Sequence, residues 1–187
     1  MNTKDKNIMR NGIPVAGISE LVEEIRRDPK QGLLQCGVGI DWQNGTRGEV
    51  KTLPLQFGAH QVSRDFSWIV DEPRQLGGGN HGPSPQELLL SGVAACIMVG
   101  FTVGASIMGV QLESLRVEVQ GELDLAGFLG ITDASTVPLK SINYQISVAG
   151  DGSAEQFETL RREAVTHSPN AMTVFKGVPL NGTLKIS

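Results

Sequence analysis

The sequence predicts an α+β fold, and three observations carry that prediction. Residues 32–71 alternate apolar and polar side chains around Asn44-Gly45, a dipeptide that favours a tight hairpin turn. An uncharged run of 25 residues, Leu88–Leu112, follows a helix-starting signal at Ser84-Pro85-Gln86-Glu87. Two more alternating segments and an amphipathic helix come after it, so strands and helices are segregated along the chain.

The elements follow in order. Residues 1–17 are polar and glycine-punctuated, with no expected structure. A helix over 18–29 places Ile18, Leu21, Val22 and Ile25 on one face, with Ser19 as its cap and Pro29 as its stop. Strands are expected near 33–42, 47–56 and 60–71, then a glycine-proline loop over 71–85. The long helix runs from Pro85 to about Met108, with Ser84 as N-cap and Glu87 reaching back to the Ser84 amide. Residues 112–125 form a strand in which Leu115, Val117 and Val119 alternate with Arg116, Glu118 and Gln120; residues 139–150 form another. Ala154–Thr166 is a helix with Phe157, Leu160 and Val165 inward, and the chain closes with a loop or short helix and a last strand. The first 30 residues thus read as an extension and residues 31–187 as the main domain.

Bulk properties narrow the function. Of 187 residues, 40% are apolar and 19% charged, which suits a globular core, and the net charge of −4 with no Lys/Arg stripe argues against nucleic acid. The uncharged run is long enough to span a bilayer. It is rich in Gly, Ser and Ala, however, and lacks flanking Lys/Arg clusters and interfacial Trp or Tyr. A buried helix approached closely by another at Gly100 and Gly104 is favoured, in a cytoplasmic protein that does not enter membranes. Two cysteines, Cys36 and Cys96, offer neither a disulfide framework nor a metal spacing, and no cofactor is expected. Cys36 reads as a packed strand residue. Cys96, about three turns into the helix, is too far from its N-terminus to gain much from the dipole, so a reactive thiolate there needs a cation such as Arg47, Arg64, Arg74 or His81. On a straight helix Gln86 lies about 80° round and roughly 15 Å along from Cys96, and Glu87 faces about 180° away.

The run EPRQLGGGNHGPSPQELLLSGVAAC, the glycine-rich helix after it, the strand LESLRVEVQGELD and the late SPNAMTV resemble the OsmC/Ohr family of osmotically inducible and organic hydroperoxide resistance proteins. The resemblance covers residues from about 32 to the C-terminus. It implies a two-sheet fold and an intertwined homodimer with the long helices central. It further implies a helix cysteine that attacks the peroxide O–O bond, a late cysteine that resolves the sulfenic acid, and an arginine and a glutamate that organise the thiolate. Cys96 matches the attacking cysteine and Arg47 the arginine. The glutamate's place ten residues before the cysteine is Gln86, with Glu87 beside it, and the late cysteine's place before proline is Ser168. An amide cannot form the ion pair and a serine cannot form the disulfide. Two functions stay open: reduction of organic hydroperoxides by Cys96 alone, with an external thiol as reductant and His81 or His167 as extra donors, or a non-enzymatic protein whose apolar interface pocket binds a small molecule or serves only as dimer core.

Overall fold

The computed structural model describes residues 9–134 and 137–186. The chain divides into two compact units, Met1–Leu89 and Leu90–Ser187.

In the first unit, β1 (Met9–Arg10) and β2 (Ile13–Pro14) form a hairpin across Asn11-Gly12, both at positive φ, within the stretch expected to be unstructured. The chain passes directly into α1 (Val15–Arg27), which starts three residues earlier than expected. Ser19 is therefore inside the helix, its hydroxyl donating to the Val15 carbonyl at 3.1 Å instead of capping. Asp28 ends the helix and caps the 3-10 turn Pro29–Gly32 through the Lys30 amide.

The three strands expected next are each broken once. They give β3 (Leu34–Gln35), β4 (Val38–Asn44), β5 (Arg47–Thr52), β6 (Leu55–Phe57), β7 (His60–Val62) and β8 (Ser67–Val70). These pair antiparallel as two three-stranded sheets, in orders β3-β6-β7 and β4-β5-β8. Pro54 explains one break, because it has no N–H to give a ladder. Cys36-Gly37 marks another, where the chain crosses from one sheet to the other and Leu53 N–H bonds the Gly37 carbonyl. Cys36 is consequently exposed, not packed in a strand. The expected Asn44-Gly45 turn forms, with Gly45 at φ 58° and the Trp42 indole donating to its carbonyl at 2.9 Å.

Helix α2 (Pro85–Met108) has the predicted bounds. It is long and apolar enough, by length and composition, to cross a membrane. In the second unit it is followed by β9 (Leu112–Glu122), the short α3 (Leu125–Phe128), β10 (Ser141–Gly150), α4 (Ala154–Thr166) and α5 (Pro169–Lys176). The bounds of α4 match the expectation because Ser153 and Gln156 form a complete capping box. Val93, Ile97, Phe101 and Ala105, spaced by four, lay one stripe of α2 against Leu160 and Ala164 of α4 and against Val110. Leu115, Val117 and Val119 of β9, with Ile146 and Val148 of β10, pack on this core from the sheet. Gly100 and Gly104 face the same way: a Cβ on them would lie 3.4 Å from Ala164 Cα and 2.9 Å from Leu160 Cδ2. The close approach of another helix expected at Gly100 and Gly104 is made by α4 of the same chain. No strand forms over 177–186, a segment that Pro179 and Gly182 interrupt; Leu180, Leu184 and Ile186 stand exposed.

Phe101 is 1% exposed at the centre of the second unit's core. Phe101→Ala should cost about 3–5 kcal/mol of unfolding free energy, read from the denaturant midpoint at unchanged slope.

Candidate functional site

The first unit gathers a polar cavity of about 230 Å³ lined by Asn44, Gly45, Thr46, Arg47, Asp71, Gly77, Gly78, Gly79 and His81. Its centre is Asp71, the residue after β8, only 1% exposed. Oδ1 accepts from the Thr46 hydroxyl at 2.7 Å and the Glu72 amide at 2.9 Å. Oδ2 accepts from the amides of Gly79 at 3.0 Å and His81 at 3.2 Å, and meets His81 Nδ1 at 2.9 Å. The Thr46 hydroxyl first, and then the His81 side chain, hold the Asp71 carboxyl well below the usual carboxylate range. An ionised Asp71 can only accept, so His81 Nδ1 carries the proton and Nε2 is the free end of the ring.

The glycine loop makes this closure possible. Gly77 adopts φ 83°, which β-carbon-bearing residues rarely take. A Cβ on Gly78 would overlap the Glu72 carbonyl, and one on Gly79 would overlap the His81 ring that reaches Asp71.

Arg47 opens β5 immediately after the hairpin turn, paired across the strand with Asn44. Its guanidinium has no hydrogen bond or ion pair among the described residues, and Nε is buried without a partner. Glu87 is not its counter-ion. The Glu87 carboxylate accepts from the Ser84 amide at 2.7 Å while the Ser84 hydroxyl accepts from the Glu87 amide at 3.3 Å, and the first of these bonds lowers the Glu87 pKa. Gln86, half-buried beside it, carries no side-chain hydrogen bond among the described residues.

In the second unit Cys96 is a half-buried free thiol between the buried residues Val93 and Ile97. Ser168, 2% exposed, caps α5 by accepting from the Ala171 amide at 3.1 Å. Two residues on, Asn170 Nδ2 donates to the Gly92 carbonyl at 2.8 Å, one helical turn before Cys96. The segment holding Ser168 is therefore anchored to the turn that precedes the thiol. His167 points elsewhere, its Nδ1 lying 3.1 Å from the Glu163 carbonyl and 3.2 Å from the Glu163 carboxylate, three-quarters exposed. The expected site residues are thus grouped as Arg47, His81, Gln86 and Glu87 in one unit and Cys96, His167 and Ser168 in the other.

Asp71 was the residue that sequence reasoning missed. Its only signal is position: an acid closing the apolar run Trp68-Ile69-Val70, just before a glycine-rich loop that returns with His81.

The lowered Asp71 pKa has a defined sign. A carboxylate whose folded pKa is depressed contributes stability that is present above its unfolded value and lost as pH falls through the folded one. Asp71→Asn should therefore lower stability at neutral pH and flatten the fall in stability below about pH 4. The check is urea midpoints of both proteins across the acid range; parallel curves would contradict it.

A family model described as OsmC-like protein matches residues 77–181, more than half of the chain. An OsmC-like protein from Mycoplasma pneumoniae superimposes with TM-score 0.60 at 17% identity, over 77% of this chain and 89% of that one. An organic hydroperoxide resistance protein OsmC from Legionella pneumophila does so with TM-score 0.51 at 21% identity, over 75% and 88%. An osmotic stress and detoxification response protein from Psychrobacter arcticus gives 0.56 at 15% identity, over 73% and 85%. At these identities the likeness establishes the fold. No curated protein matches the sequence. The α+β fold with its long apolar helix, and the match across the glycine loop, the thiol helix and the capped α5, place the chain in the OsmC-like protein family.

Proposed function

We propose that the protein is a thiol peroxidase for organic hydroperoxides that works through Cys96 alone, as a homodimer in the cytoplasm. The observation that carries this reading is Cys96 itself, a half-buried free thiol on the family's helix, with a serine anchored next to its turn. The sulfur attacks one peroxide oxygen and the O–O bond breaks; the departing alkoxide takes a proton and leaves as the alcohol. Cys96 is oxidised to sulfenic acid. An external thiol condenses with it, releasing water, and a second thiol frees Cys96 from the mixed disulfide. Arg47 is the cation offered for the thiolate, and its lack of any other partner among the described residues supports that role.

The non-enzymatic reading keeps one observation in its favour. The carboxylate at the start of α2 is committed to capping, so no Glu–Arg pair is available in its family place.

Support for the homodimer comes from uncovered apolar surface. On α2, Met98, Val99 and Ile107 are 43%, 54% and 57% exposed. Val38, Ile40 and Trp42, alternate residues on one face of β4, are exposed as well.

With one equivalent of cumene hydroperoxide, intact mass should show gain of a single oxygen on Cys96, and excess peroxide should carry it to sulfinic acid. Loss of two hydrogens with both cysteines blocked would mean that Cys36 resolves, and no change with Cys96 labelled only after denaturation would support the non-enzymatic reading. Ser168→Cys should give a trapped disulfide if the two Cα atoms lie within about 7 Å. Light scattering at micromolar concentration should give twice the chain mass, and Val99→Glu should shift it toward the monomer; a wild-type monomer would remove the dimer claim.

A further inference from the structure

The β5–β8 ladder stops one residue short of Arg47. Its last pair is Gly48 with Val70, so the hairpin tip, residues 44–47, overhangs the end of β8. Within the hairpin, the tip is closed by the Asn44–Arg47 pair and by the Trp42 indole on the Gly45 carbonyl. Beyond the hairpin it has a single side-chain tie among the described residues, the Thr46 hydroxyl donating to Asp71 Oδ1 at 2.7 Å. Asp71 is itself buried and fixed by the amides of Glu72, Gly79 and His81. The tie therefore runs from an overhanging turn to a rigid point of the first unit.

Arg47 is the residue that needs such a tie. A guanidinium N–H buried without a hydrogen bond costs free energy, and Arg47 Nε is in that state. An untethered tip would escape the cost by swinging toward water and carrying the arginine with it. Thr46 is exposed, so its hydroxyl rather than its packing is what it contributes. The acceptor is a carboxylate, which makes the bond stronger than one between neutral groups. Asp71 acts on Arg47 through Thr46, because its two oxygens are already taken by Thr46, Glu72, Gly79 and His81.

We propose that Thr46 and Asp71 are positioning residues for the peroxidase reaction: their hydrogen bond fixes the hairpin tip and keeps Arg47 in the pose in which it serves the thiolate. This rests on the reading of Arg47 as the cation of Cys96.

The test uses Thr46→Val in the full-length protein, which removes one hydroxyl from an exposed turn and should leave a cooperative melt. Two quantities are measured: hydrogen exchange of the Arg47 Nε–H by NMR, and the rate of Cys96 oxidation by cumene hydroperoxide from intact mass. Exchange should quicken and oxidation slow, each about tenfold. Thr46→Ser, which keeps the hydroxyl, should restore both. In an Arg47→Gln background, Thr46→Val should cost no further rate, because the residue it acts through is gone. Exchange as slow as wild type in Thr46→Val, or a further loss of rate in Arg47→Gln, would overturn the proposal. Faster exchange with an undiminished rate would overturn the catalytic part of it. A wild type inert to peroxide would remove the peroxidase reading and that role together, and the exchange data would then show a fixed arginine with no reaction to serve.

Discussion

A helix of 24 residues with Glu87 as its one charged side chain must be covered along its whole length, and that requirement organises the rest of the molecule. One stripe, Val93 to Ala105, is met by α4 and the β9–β10 sheet, where they form a dry core. Just 22% of the most apolar window is buried within the chain. At roughly 25 cal/mol per Å² of apolar surface, whatever part of the remainder stays wet forgoes the stabilisation that burial gives the stripe facing α4.

The helices were legible because their signals are local. Ser153 with Gln156 and Ser84 with Glu87 each satisfy backbone donors a turn away, so α4 and α2 begin where four residues say they should. Ser19 shows the limit of the same logic. A serine can close a turn from inside a helix as readily as begin one, and here the preceding hairpin had already set the start. Strand continuity was less legible, since alternation fixes which face a residue takes but not which sheet it joins; Pro54 and the Cys36-Gly37 crossing decided that. The C-terminal alternation of Leu184 and Ile186 names a strand that needs a neighbour, and sequence periodicity cannot supply one.

Asp71 was hidden for a related reason. Its partners come from positions 46, 72, 79 and 81, and only folding the glycine loop back brings them to one carboxylate. Gly100 and Gly104 were read correctly as a close-approach surface for another helix, while which helix comes there, α4, was not legible, because spacing reports how near a neighbour comes and not which element it is. Recognition of the family rested instead on the order of motifs around Cys96, which survives low identity better than any single residue does.

The capping hydroxyl of Ser168 has a consequence for how redox state and mechanical order can be joined in this fold. The side-chain oxygen at that place holds the first turn of α5 through the Ala171 amide, next to an anchor on the turn preceding Cys96. Sulfur is a weaker acceptor than a hydroxyl, and a sulfur drawn into a disulfide has turned away from the amide it would cap. A cysteine there must choose between closing a covalent bridge and closing a helix, so each round of oxidation would loosen and retighten α5 like a latch. With serine the oxygen stays on the Ala171 amide, so the first turn of α5 has a cap that no disulfide can claim.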